Sequence, residues 1–208
     1  MDLAESADPT DAAGELFATV FVAVVDTGSG TLRYASAGHP DAFVLSGGLG
    51  QTEVPDVADL VDPREVLNAS ERRGIVGGAG TPLVTWTSLP SSGPLLSPLV
   101  AGWGWDDRER PFRAGEALLV YTDGIVEARD TDGEEFGADR VLATVAGIGL
   151  ADGPRLLDAI AAGAVLHAGR RSRRDDQTLV LLRRTRSVVA ALPPAGERVV
   201  RPWAVTRP

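Results

Sequence analysis

The 208-residue chain contains no cysteine. That absence excludes disulfide frameworks, thiolate nucleophiles and zinc sites built on cysteine. Lysine is absent too, because all 20 basic residues are arginine. This removes amine nucleophiles and the P-loop lysine. Aromatic residues make up only 5% of the chain, so a core must lean on alanine, valine and leucine. No apolar run is long enough to cross a bilayer. The first ten residues are acidic and lack a positive region before an apolar stretch, so no signal peptide and a cytoplasmic location are expected. With two histidines, His39 and His167, any metal must be held by them or by oxygen.

What the chain has in quantity is carboxylate, glycine and small apolar residues. The net charge of −9 argues against nucleic acid as a partner, and nothing points to a membrane. The length suits one domain. One domain is expected over residues 1–187, with residues 188–208 as a C-terminal extension.

The first ordered run, FATVFVAVVD at residues 17–26, is β-branched and reads as a buried strand. A Thr-Gly-Ser-Gly turn leads to TLRYASA at residues 31–37. Leu32, Tyr34 and Ser36 share one face there, which makes a β-hairpin. A third strand is expected over residues 41–46. Residues 47–92 are rich in Gly, Pro, Ser and Asp, and read as a long loop or insertion with one short helix over 63–70. Order returns with the apolar strand at residues 117–122. Helices are expected over 138–146 and 154–167, the second with Pro154 in its first turn. A last strand covers residues 177–184.

Two acidic positions share a geometry. Asp123 ends an apolar strand at Gly124, and Asp175 and Asp176 begin another. Carboxylates at strand ends lie on the rim of a sheet, and carboxylates that converge there repel unless a cation neutralises them. An oxygen-only site suits Mg²⁺ or Mn²⁺. On the residues alone, Asp-Gly is equally an ordinary turn and Asp-Asp an ordinary cap.

Residues 118–137, LLVYTDGIVEARDTDGEEFG, resemble the metal-binding segment of SpoIIE/RsbU-type PPM (type 2C-like) serine/threonine protein phosphatases. Residues 16–40 are similar to that family's central hairpin, which ends in Ala-Gly-His-Pro. RRDDQTLVLLRR at residues 173–184 is similar to its closing strand, and residues 92–96 look like a degraded Gly-Pro-Pro-Leu-Gly segment. The resemblance implies an α+β fold, the α-β-β-α sandwich with mostly antiparallel sheets. It also implies Mn²⁺ or Mg²⁺ as cofactor and a phosphorylated STAS-type anti-anti-sigma protein as substrate. Asp123, Asp175 and Gly124 match the metal-binding positions, with Asp176 orienting its neighbours. Arg173 and Arg174 precede the aspartates and are candidates for gripping a phosphoprotein, since arginine forks phosphate.

The family also carries two earlier aspartate motifs, Gly-Asp-(Tyr/Trp)-x-Asp and Gly-Asp-(Val/Ala)-x-Gly-His-Gly. Neither occurs here, so the sandwich is expected to be partial, with N-terminal strands missing. A second copy in a homodimer, the insertion, or a partner would then cover the exposed sheet. A catalytically degenerate binding module in a sigma-factor network is the alternative to an enzyme. His39 reads as a turn residue and His167 as a helix-end residue. The Asp130–Glu134 stretch reads as a turn, not a calcium loop. Trp103 and Trp105 are expected to pack.

Overall fold

In the computed structural model, residues 17–47, 71–78, 80–100, 102–169 and 176–185 are described. Among them the chain order is β1 (Val20–Asp26), β2 (Thr31–Ala37), β3 (Ala42–Gly47), β4 (Arg73–Gly78), β5 (Thr81–Leu89), a 3₁₀ turn (Pro98–Val100), β6 (Arg108–Pro111) and β7 (Ala117–Tyr121). Then follow α1 (Asp123–Val126), α2 (Gly137–Ile148), α3 (Gly153–Ala168) and β8 (Leu179–Arg183). The strands form two sheets, ordered β1-β2-β6 and β4-β5-β3-β7-β8. Their pairings are antiparallel throughout.

Alternation along the strands builds two cores. In β3, Phe43 and Leu45 face the helices while Ala42 and Val44 face the other sheet. In β7, Ala117, Leu119 and Tyr121 face the helices, and Leu118 and Val120 face the other sheet. A strand covered on both faces reads as a continuous apolar run, which is why residues 117–121 stood out. Leu32 and Tyr34 of β2 close the inter-sheet core. On the other side, α2 packs on β4 and β5, and α3 packs on β8. Val141, Val145, Leu156 and Ile160 are buried there. Asp152 caps α3 by accepting from the Arg155 amide at 3.1 Å, with Pro154 in the first turn. No helix among the described residues is long and apolar enough to cross a membrane.

The reading of residues 47–92 as a loop is corrected for its second half. Residues 73–78 and 81–89 are a β-hairpin inside the five-stranded sheet. Glycine and proline hid it. Gly74 lies under the Trp86 indole, where a Cβ would come within 2.7 Å of the ring. Gly77, at φ +101°, sits in a register shift between Val76 and Gly78, and a Cβ there would meet the Pro82 carbonyl at 2.0 Å. The bulge accommodates a proline near the start of a central strand. Threonine, valine and tryptophan on β5 then pair as good strand formers. The short helix expected over 63–70 lies outside the described residues. β6, with sequence RERP, is a short charged edge strand that gave no apolar signal.

Helices lie on one side only among the described residues. The outer face of the three-stranded sheet has none against it, and Val22 and Val24 are 54% and 61% exposed. This agrees with the expectation of a partial sandwich.

Candidate metal centre

Asp123 is the first residue of α1, directly after β7. β8 runs beside β7 in a register that pairs Tyr121 with Leu179. The strand ends that carry Asp123 and Asp176 are therefore neighbours, although β8 is a largely exposed edge strand and not a buried one. Thr122 fastens them. Its amide donates to the Thr178 carbonyl at 3.0 Å, and its hydroxyl donates to the Asp176 carbonyl at 2.9 Å. The same hydroxyl accepts from the Thr178 amide at 2.9 Å. Gln177 adds a third tie, its side-chain amide donating to the Gly124 carbonyl at 3.0 Å.

These bonds hold the backbone at the rim and leave the acid groups at the surface. Asp123 Oδ1 accepts from the Gly124 amide at 2.9 Å, which fixes one carboxylate oxygen. Gly124 is buried, and its carbonyl keeps a lone pair beyond the one Gln177 uses. Asp176 is exposed and contributes its backbone carbonyl to the Thr122 tie. Asp175, Arg173 and Arg174 lie outside the described residues. Asp123 and Gly124 are hard oxygen donors on a solvent-facing rim, so their chemistry fits Mg²⁺ or Mn²⁺. Among the described residues no group of three or more His, Cys, Asp or Glu is placed to hold a metal.

Asp41, Arg72 and Tyr121 lie at the same end of the five-stranded sheet, and no motif had marked Asp41 or Arg72. Asp41 precedes β3 and meets Arg72 at 3.4 Å. Burial holds the Tyr121 hydroxyl well above its ordinary range, with the Asp41 charge adding to the effect. Tyr34, between the sheets, is pushed up to about 12, chiefly by burial, and donates to Glu71 at 3.0 Å. Strand register alone brings Asp41 beside Tyr121, so only a correct pairing of β3 with β7 would have exposed it. Thr122 had a weak signal, a hydroxyl residue between a strand and its turn.

His39, His167 and Asp130 make local packing and hydrogen-bond contacts. His39 has its Nδ1 2.9 Å from the Pro40 carbonyl and its ring 5.8 Å from Phe21. His167 is in the last turn of α3, against Phe136 and 2.9 Å from the Glu134 carbonyl. Asp130 accepts from the Asp132 and Glu134 amides, a turn as expected. Trp105 packs on Gly93 and donates to the Pro94 carbonyl, whereas Trp103 is exposed, a correction to the expectation that both pack. Its neighbour Gly102, at φ +92°, turns the chain outward there.

The chain matches the family model for stage II sporulation protein E (SpoIIE) over residues 2–61 and 74–185. Protein IcfG of Synechocystis sp. is 26% identical over 130 residues, 62% of this chain and 15% of that protein. The SiaA-PP2C domain of Pseudomonas aeruginosa superposes with a TM-score of 0.53 at 16% identity, covering 79% of this chain and 51% of that one. The phosphatase domain of the cell fate determinant SpoIIE from Bacillus subtilis gives a TM-score of 0.50 at 13% identity, covering 82% and 60%. The chain thus spans a small part of one relative and little more than half of the two solved domains. The two structural likenesses concern the fold.

Proposed function

Because the chain belongs to the SpoIIE family, we propose that it is a metal-dependent phosphoserine/phosphothreonine protein phosphatase acting on a bacterial regulatory phosphoprotein. The observation that carries this reading is the pairing of β7 with β8, which sets Asp123 and the segment of Asp176 side by side at an exposed rim. Asp123, Asp175 and the Gly124 carbonyl would hold Mn²⁺ or Mg²⁺. A bound cation of this kind lowers the pKa of a water and offsets charge on a phosphoryl group. The chain's own part is to position. Thr122 and Gln177 keep the two strand ends together, and the Gly124 amide orients the Asp123 carboxylate. Arg173 and Arg174 fit the phosphate of a STAS-type anti-anti-sigma protein, because a guanidinium makes paired hydrogen bonds to such oxygens.

Hydrolysis of p-nitrophenyl phosphate with Mn²⁺ tests the reading against Asp123→Ala. The expected outcome is Mn²⁺-dependent turnover that falls to the metal-free background in the variant. Equal rates in both proteins remove Asp123 from the reaction. Mn²⁺ binding followed by electron paramagnetic resonance reads the site without turnover.

A second reading is a catalytically degenerate docking module. It is favoured by the lack, in this sequence, of the Gly-Asp-(Tyr/Trp)-x-Asp and Gly-Asp-(Val/Ala)-x-Gly-His-Gly motifs. A chain that captures its phosphorylated partner yet shows no Mn²⁺-dependent turnover at any pH fits this second reading.

A further inference from the structure

The two sheets end unevenly on one side. β1 is the edge of the three-stranded sheet and β8 the edge of the five-stranded one. Phe21 and Val25 of β1 pack with Val120 of β7 on the inter-sheet core. Past β8, the Arg184 side chain donates to the Thr27 carbonyl at the end of β1 and to the Phe112 carbonyl. β1 therefore lies over the β7–β8 side of the larger sheet. Cover stops there within one strand spacing. Leu118 is 3% exposed while Leu182, directly opposite it on β8, is 44% exposed. Val180, opposite the inter-sheet residue Val120, is 52% exposed. The result is a slot one strand wide. It is bounded by the edge of β1 that no described strand pairs with, floored by Val180 and Leu182, and flanked by Val22 and Val24.

An occupant must be extended, uncharged and apolar on both faces, since β1 carries no charge before Asp26. We propose that residues 187–192 of this chain, SVVAAL, add to β1 as an antiparallel strand. Three observations select this segment. The chain leaves β8 at Arg183, and Arg184 bonds to Thr27, so the tail starts beside the end of β1. Both β1 and β8 run toward that point, so a reversal after Thr185 sends the tail back antiparallel to β1. Six residues span about 20 Å, matching the length of β1, and Pro193-Pro194 then ends any ladder. Alternation sets Val188, Ala190 and Leu192 over Val180 and Leu182, and Val189 beside the exposed valines. Residues 1–16 are a poor match, because Asp2, Glu5, Asp8, Asp11 and Glu15 would enter an apolar slot.

The lack of cysteine makes the test clean. Ala23→Cys is combined, in the full chain, with Ala190→Cys or Ala191→Cys and oxidised gently. The expected product is an intramolecular disulfide in the monomer with at least one pair. Hydrogen exchange of the β1 amides is then compared between the native chain and Val188→Asp/Val189→Asp. An acceleration of about 10-fold or more confined to β1 is expected. Intermolecular disulfides alone, with a dimer in solution, assign the slot to a second copy and overturn the proposal. No disulfide, with exchange unchanged by the charged variant, also overturns it.

Discussion

The two sheets are made from similar residues and differ in what covers them. The five-stranded sheet is covered on both faces along β3 and β7, by the helices on one side and by the smaller sheet on the other, while Val180 and Leu182 of its edge strand β8 stay exposed. Among the described residues the three-stranded sheet is covered on one face only, and its outer valines are exposed. A valine-rich strand thus states that a strand exists, and leaves open whether its second face is covered. The catalytic candidates sit on the doubly covered sheet, where rigid strands position Asp123 and its neighbours.

That contrast can be broken by mutation. Leu119→Ala, inside the core between β7 and the helices, is expected to cost about 2–5 kcal/mol, read by denaturant unfolding. A loss under about 1 kcal/mol would mean the helical layer is not packed on β7. Thr122→Val keeps the shape and removes two hydroxyl hydrogen bonds at the rim. The expected loss is about 1–3 kcal/mol, together with weaker Mn²⁺ binding. Unchanged Mn²⁺ affinity would show that the Thr122 tie does not position Asp123. Val24→Thr on the bare face should change stability by no more than about 0.5 kcal/mol. A larger cost in the same unfolding experiment would reveal a covering layer.

The smallest effect compares two aspartate turns, one in each region. Asp26 ends β1, and the Ser29 hydroxyl, followed by the Ser29 and Gly28 amides, holds its carboxyl below the ordinary carboxylate value. Asp130 lies before the helical layer, and the Glu134 amide does the same for it. A lowered folded pKa means the stabilisation is complete above the ordinary value of 3.8 and fades as pH falls through the depressed value. Carboxyl titration by NMR should find both midpoints below 3.8. A midpoint at or above it for either residue removes that turn's hydrogen bonds from the account.

The readable parts of the chain were those with local signals. The β1–β2 hairpin, β3, β7, β8 and the two long helices showed through periodicity and turn residues, with ends off by no more than three residues. The β4–β5 hairpin did not, because Gly74 and Gly77 are there for close packing and read locally as loop. At the site, Asp123, Gly124 and Asp176 were legible from strand-end chemistry. Asp41 and Arg72 were not, because their place beside Tyr121 depends on which strands pair.

By itself the sequence determined where most strands run, which face of β2 turns inward and which carboxylates flank β7 and β8. The tertiary structure alone decided that those strands are neighbours, that Thr122 binds their ends, and that one sheet face is bare among the described residues. The reason is physical. Side-chain alternation is encoded residue by residue, whereas strand order and cover come from pairing segments distant in the chain, where burial is settled by the partner.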